Sequence, residues 1–196
     1  MQGEIIMLDR KSVIQRILLI AVVFLGPLLV AALLYYPGGL LQPAGRTNHG
    51  ALLEPIINLR DISPGTVLNE HAGTTAWLLL YANDGPCADS CLNALYAARQ
   101  SRLMLGKEMD RVKRVFLHGD TAPDTVFLAE EHPGLITIED SSLNGLLNKK
   151  RPTDLPAGGY FLIDPHGNLV MYFRPDLDPA EMVDDIKHLL RLSRIG

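Results

Sequence analysis

Cys87 and Cys91 are the two cysteines of this 196-residue chain, and three residues separate them. They lie in Gly85-Pro86-Cys87-Ala88-Asp89-Ser90-Cys91, just after an apolar run and where a helical pattern begins. A helix start presents unpaired N–H groups and the positive end of the helix dipole. A thiolate at Cys87 is stabilised in such a place, as a nucleophile or as a soft-metal ligand. Cys91 falls one turn further on the same side, so the pair can close a disulfide or share a metal ion. A purely structural bridge is the competing reading, since extracytoplasmic cysteine pairs often serve stability. So small a loop restrains the unfolded chain less than a long-range bridge does, which favours a working dithiol.

The elements around the pair set its surroundings. Residues 75–82 are almost continuously apolar, as in a strand buried on both faces. Asn83-Asp84-Gly85-Pro86 breaks that run, and a helix is predicted from near Cys87 to about Met109. Residues 112–118 form a second strand candidate, 125–132 a short helix and 135–139 another extended segment. Residues 159–164 and 169–173 flank Pro165-His166-Gly167-Asn168 and read as a hairpin. Asp178 caps a last helix, with Pro179 at its first position and Glu181 three residues after the cap. Its apolar stripe of Met182, Val183, Ile186, Leu189 and Leu190 suits packing on a sheet. The order βαβ followed by ββα is an α/β arrangement of thioredoxin type, with the cysteines at the carboxyl edge of the sheet. Trp77 and Asp164 read as core and turn residues.

A mean hydropathy of +0.13 asks for a membrane segment. Residues 17–36 supply about 20 uncharged, apolar positions, enough to cross a bilayer. The run is longer than the apolar core of a signal peptide, and bulky Tyr35, Tyr36 and Pro37 follow it, so an uncleaved anchor is expected. Arg10, Lys11 and Arg16 precede it and Arg46 alone follows closely, which places residues 1–16 in the cytoplasm and the remainder outside. In a bacterial-type inner membrane that is the periplasm. Residues 37–55, rich in Gly and Pro, read as a linker to a domain at 56–196. The formal net charge of −4 and the lack of a basic stripe argue against nucleic acid as a partner.

With these residues in place, the chain resembles the Sco/SenC group of membrane-anchored, thioredoxin-fold copper proteins, which help to build the binuclear copper centre of cytochrome c oxidase. The likeness runs through the Cys-x-x-x-C segment, Val115-Phe116-Leu117-His118-Gly119-Asp120, Asp124-Thr125, and Tyr160-Phe161-Leu162-Ile163-Asp164-Pro165-x-Gly167. It implies copper(I) handling, or reduction of partner cysteines, at Cys87 and Cys91, with an oxidase subunit or another redox protein as partner. In the family a histidine eight residues before the hairpin aspartate completes the copper site. Here that position is Pro156, and Leu92 replaces the proline that commonly follows the second cysteine.

His118, at the carboxyl end of a strand parallel to the one feeding the cysteines, is the best replacement ligand. His49 lies in the linker and His166 in a solvent-facing turn, while His71, His132 and His188 have no motif around them. Leu155-Pro156 is alternatively the cis-proline that thioredoxin-like oxidoreductases hold opposite their cysteines. Three functions stay open: a Sco-like assembly factor, a periplasmic thiol–disulfide oxidoreductase, and a non-catalytic docking partner of a membrane complex.

Overall fold

Where a strand is apolar on both faces, helices must cover both sides of its sheet. A computed structural model of the chain shows this arrangement; it describes residues 10–35, 48–72, 74–121 and 124–193. The chain forms two compact units, divided between Thr47 and Asn48.

The first unit is helix α1, Arg10–Tyr35, with Pro27 inside it. Its segment Val13–Leu33 is long and apolar enough to cross a membrane, and its side chains are exposed. Residues 17–35 of the expected anchor therefore lie within a helix that begins earlier. Position 36 is outside the described residues, as are most of the linker and of the N-terminal tail.

The second unit contains strands β1 (Ala51–Asn58), β2 (Trp77–Asn83), β3 (Val112–His118), β4 (Leu135–Glu139), β5 (Tyr160–Ile163) and β6 (Asn168–Phe173). Its helices are α2 (Leu59–Ile62), α3 (Val67–Ala72), α4 (Asp89–Met104), α5 (Thr125–Glu131), α6 (Ser141–Lys150) and α7 (Pro179–Leu192). The sheet order is β1-β6-β5-β2-β3-β4. β2, β3 and β4 run parallel, with Trp77 opposite Val112 and Asn83 opposite His118. β5 pairs antiparallel with β2, and β6 antiparallel with β5.

Alternation along β2 builds two cores. Trp77, Leu79 and Tyr81 join Phe116, Tyr160 and Leu162 under Leu95 of α4 and Ile186 of α7. Leu78 and Leu80 join Val115, Leu117, Phe161 and Ile163 with Leu68 of α3 and Leu143 and Leu147 of α6. Leu78 and Leu80 are fully excluded from water, and truncating either to alanine costs about 2–5 kcal/mol.

The chain departs from the sequence reading in four places. β1 takes residues 51–55, the end of the stretch read as linker, and the second unit begins at Asn48. Glu54 and Pro55 interrupt its apolar pattern, and its pairing with β6 shifts register between Leu52 and Ile57, as an edge strand tolerates. The backbone N–H of Gly50 donates to Asp185 Oδ2 on α7 at 2.8 Å, which fixes this strand's start to the domain. The short helices α2 and α3 follow β1. Helix α6 was not expected, because Gly145 and its asparagines are weak helix formers; tertiary burial of Leu143 and Leu147 and the Asp140 cap on the Leu143 N–H hold it. Helix α4 ends at Met104 and not at Met109, because Gly106 takes a positive φ of 62° and a 3-10 turn follows.

Candidate dithiol site

β2 delivers the chain to the carboxyl edge of the sheet. Beyond it, the Asn83 amide donates to the Gly85 carbonyl at 2.8 Å and shapes the loop that leads to the cysteines. Helix α4 starts at Asp89, two residues after Cys87, slightly later than the sequence pattern suggests. Its cap residue Ala88 offers no side-chain acceptor to the first-turn N–H groups. The first-turn N–H groups therefore carry no side-chain cap, and Asp89 is the acidic residue of that turn.

Cys87 and Cys91 form a disulfide, with Cα atoms 5.0 Å apart. The two sulfurs differ in access. Cys91 is 1% exposed and belongs to the core beneath α4, whereas Cys87 is only partly buried. Cys87 also lines a cavity of about 240 Å³ with Leu92, Asp124, Phe127 and Leu128. Asp124 caps α5, its Oδ1 accepting from Val126 N and Phe127 N at 3.0 Å each.

A larger groove of about 780 Å³ runs along the other side of α4 from Ser90, between Asn93, Tyr81 and the Ala157-Gly158 loop. Tyr160 forms part of its floor and donates its hydroxyl to the Ala94 carbonyl at 3.0 Å. Burial holds the Tyr160 phenol well above the usual range, so it acts as a neutral donor. The loop wall is held by Tyr172, whose hydroxyl accepts from Gly159 N at 3.0 Å and donates to the Pro156 carbonyl at 2.7 Å. Gly159 has no room for a side chain, because a Cβ would meet the Phe173 carbonyl and the Tyr172 ring. Sequence reasoning missed both tyrosines; their one signal is a hydroxyl in strands whose other residues, Asn168 apart, are apolar.

The alternative of a cis bond at this loop is not realised: among the described residues the cis peptide is Glu54–Pro55, and Leu155–Pro156 is trans. A cis bond is uncommon even before proline, and nothing local in Asp154-Leu155-Pro156 demands one. The loop is held through Tyr172 instead.

His118 does end β3 at this edge, 7% exposed. Its Nδ1 lies 2.8 Å from the Gly119 carbonyl, which accepts when that nitrogen is protonated, and its ring packs 5.6 Å from Phe116. It lines a separate cavity of about 600 Å³ between α5 and β4, together with His132 and Glu139. Among the described residues no three His, Cys, Asp or Glu side chains gather as a metal site, so His118 is not brought together with the cysteines. His49 is exposed and pairs with Glu181 at 3.6 Å, and His166 is exposed in the hairpin turn, as expected. His132 is buried at the end of α5, and burial beside Arg114 lowers its pKa. The donor set thus offers two sulfurs once the disulfide is opened, and the histidine-completed set of the family does not fit.

Comparison with known proteins follows the same lines. Copper-bound ScoI of Arabidopsis thaliana is similar in fold, with a TM-score of 0.50 and 19% identity over 63% of this chain and 89% of that one. Copper-bound ScoI of Bradyrhizobium japonicum gives 0.47 and 20% over 61% and 88%. Yeast Sco1 gives 0.49 and 19% over 63% and 85%. No curated protein matches the sequence. The thioredoxin-like fold read from the sequence is borne out, and the likeness to the Sco proteins is one of fold. Residues 77–193, which carry both cysteines, all of α4 and the sheet edge around them, match the family model described as the transmembrane-like, thioredoxin-like C-terminal domain, and the chain belongs to that family.

Proposed function

We propose that this protein is a membrane-tethered, Sco-like factor that reduces the cysteines of a partner through Cys87 and Cys91, and that it serves cytochrome c oxidase assembly from the periplasmic face. The observation that carries the reading is the unequal access of the two sulfurs: Cys87 opens onto a cavity at the start of α4, and Cys91 lies buried one turn behind it. In the dithiol form, Cys87 thiolate attacks one sulfur of a partner disulfide and releases the other as a thiolate. Cys91 then attacks Cys87 Sγ, closing Cys87–Cys91 and releasing the second partner thiol. Two electrons pass to the partner, and a dithiol protein must supply two to restore the site. Uncapped N–H groups at α4 favour the anionic sulfur in the first step.

Trapping tests this assignment. Cys91→Ser should accumulate a mixed disulfide through Cys87 that thiols release, and Cys87→Ser should accumulate none. Equal trapping by both variants would overturn it. A redox titration of the pair should find a potential within the range of exchange-active dithiols, well above the roughly −300 mV below which structural bridges lie.

A second reading, copper(I) transfer, is favoured by the Cys-x-x-x-Cys spacing and by the copper-bound ScoI proteins of similar fold. Copper(I) would then be cargo held by the two thiolates alone, because His118 lines a separate cavity. Anaerobic titration of the reduced full-length protein with copper(I) separates the readings. Tight one-to-one binding that is lost in Cys91→Ser supports transfer, and its absence in the wild type supports reduction alone.

A further inference from the structure

Charge is distributed very unevenly around the dithiol. Residues 61–98 and 115–148 contain ten carboxylate side chains and no lysine or arginine, although the whole chain has 18 basic residues. These two segments carry β2, the cysteines, most of α4, the end of β3, α5 and β4. Asp84, Asp89, Asp120 and Asp124 are all exposed along them. Asp84 lies against Gly119 at the sheet edge, where a Cβ would be 2.7 Å from its Oδ1, and Asp124 lines the Cys87 cavity. Across the site, Asp176 and Asp178 border the larger groove, and Arg174 is already engaged by Asp176 at 3.4 Å. Coulomb repulsion excludes acidic partners from such a rim and draws basic ones toward it.

Inside that acidic rim the surface next to the accessible sulfur is apolar. Leu92, Phe127 and Leu128 wall the 240 Å³ cavity, and Val126 beside it is 66% exposed. The cavity is smaller than typical ligand pockets of about 300–1,000 Å³, and a single side chain suits it. A mixed disulfide through Cys87 brings the residue adjoining the partner cysteine to this opening.

The geometry points to a specific docking partner: a lysine- or arginine-rich segment in which an aliphatic residue adjoins the reactive cysteine. The aliphatic side chain enters the Leu92–Phe127–Leu128 cavity, and the basic residues meet Asp84, Asp89 and Asp120. This inference rests on the exchange reading of Cys87 and adds the identity of what Cys87 meets.

The test uses the reduced full-length protein in detergent micelles and four disulfide probes. Three are peptides that differ only around the cysteine: lysine-flanked with an adjoining leucine, glutamate-flanked with the same leucine, and lysine-flanked with glycine replacing the leucine. The fourth is hydroxyethyl disulfide, small and uncharged. The lysine–leucine peptide should react at least about tenfold faster than the glutamate peptide at low ionic strength, and the ratio should collapse at high salt. Replacing leucine by glycine should slow it several-fold. Asp84→Asn with Asp89→Asn should reduce the charge preference, and Phe127→Ala, or Leu92→Ala should that variant fold poorly, should erase the leucine preference. Each variant's peptide rates should be taken relative to its own hydroxyethyl disulfide rate, so that a change in the reactivity of Cys87 itself cancels. Equal rates for the lysine and glutamate peptides, or a leucine preference that survives both cavity variants, would overturn the inference while the small-disulfide reaction stands. Failure to react with hydroxyethyl disulfide would instead overturn the exchange reading beneath it.

Discussion

Tyr172 shows how much a single hydroxyl settles at this site. It stands 1% exposed in β6, yet it satisfies both the Gly159 N–H and the Pro156 carbonyl of the loop that walls the larger groove. Removing that oxygen orphans two backbone groups, one of them buried, at a cost of about 1–3 kcal/mol. Tyr172→Phe should lower the urea midpoint accordingly with an unchanged m-value, and amide exchange should quicken at Gly159 and its neighbours. A variant with wild-type stability and exchange would show that this clamp contributes nothing. At the same scale, burial separates the chemistry of the two cysteines more than their neighbours in sequence do.

Among the elements, the joint from α5 to β4 is where the fold tolerates a discomfort. His132 caps the end of α5, is 4% exposed, and leaves its Nδ1 without a partner. Beneath it Arg114 is buried, and its Nη2 donates to the Pro133 carbonyl at 2.7 Å while Nε and Nη1 find no acceptor. Burial, with Arg102 and Arg99 nearby, pushes the Arg114 pKa down to about 10. The His132 pKa is lowered by burial first, then by Arg114 and Arg99, with Glu131 opposing. Because the folded chain binds this proton less readily than the unfolded chain, the stability tied to neutral His132 is present above the ordinary value of 6.5 and is lost as pH falls through it. Wild type should therefore lose stability relative to His132→Leu between pH 7 and pH 5, measured by urea denaturation at each pH. Parallel pH profiles for the two proteins would refute this.

For the whole molecule, the division at Thr47 and Asn48 predicts where the chain can be shortened. A protein beginning at Asn48 keeps β1, the Gly50–Asp185 bond and both cores, and should match the melting temperature of the full chain's domain. One beginning at Leu59 lacks β1, exposes the β6 edge, uncovers the site of Leu53 and leaves the 6%-exposed Asp185 without its Gly50 donor. The lost burial and the unpaired carboxylate together cost about 3–6 kcal/mol. At about 2–4 °C per kcal/mol for a domain of this size, the melting temperature should fall by roughly 6 °C or more. Equal melting of the two shortened proteins, followed by circular dichroism, would make β1 an appendage.

What could be read directly from the chain was whatever depends on local pattern. The apolar stretch now seen as α1, the buried run of β2, the punctuation before Cys87, the β5–β6 hairpin around Gly167 and the Asp178-Pro179 helix start each carry their signal within a few residues. The βαβ…ββα order, and with it the placement of both cysteines at the carboxyl edge, follows from those local signals and the rules of strand connection. Long-range packing decided the rest. β1 exists because β6 offers an open edge, and α6 because the sheet buries Leu143 and Leu147. His118 is turned to its own cavity by contacts with Phe116 and Gly119, apart from the sulfurs. The burial of Cys91 likewise arises from the core it joins with Phe116 of β3 and Leu128 of α5, 25 or more residues along the chain, where no sequence periodicity reaches.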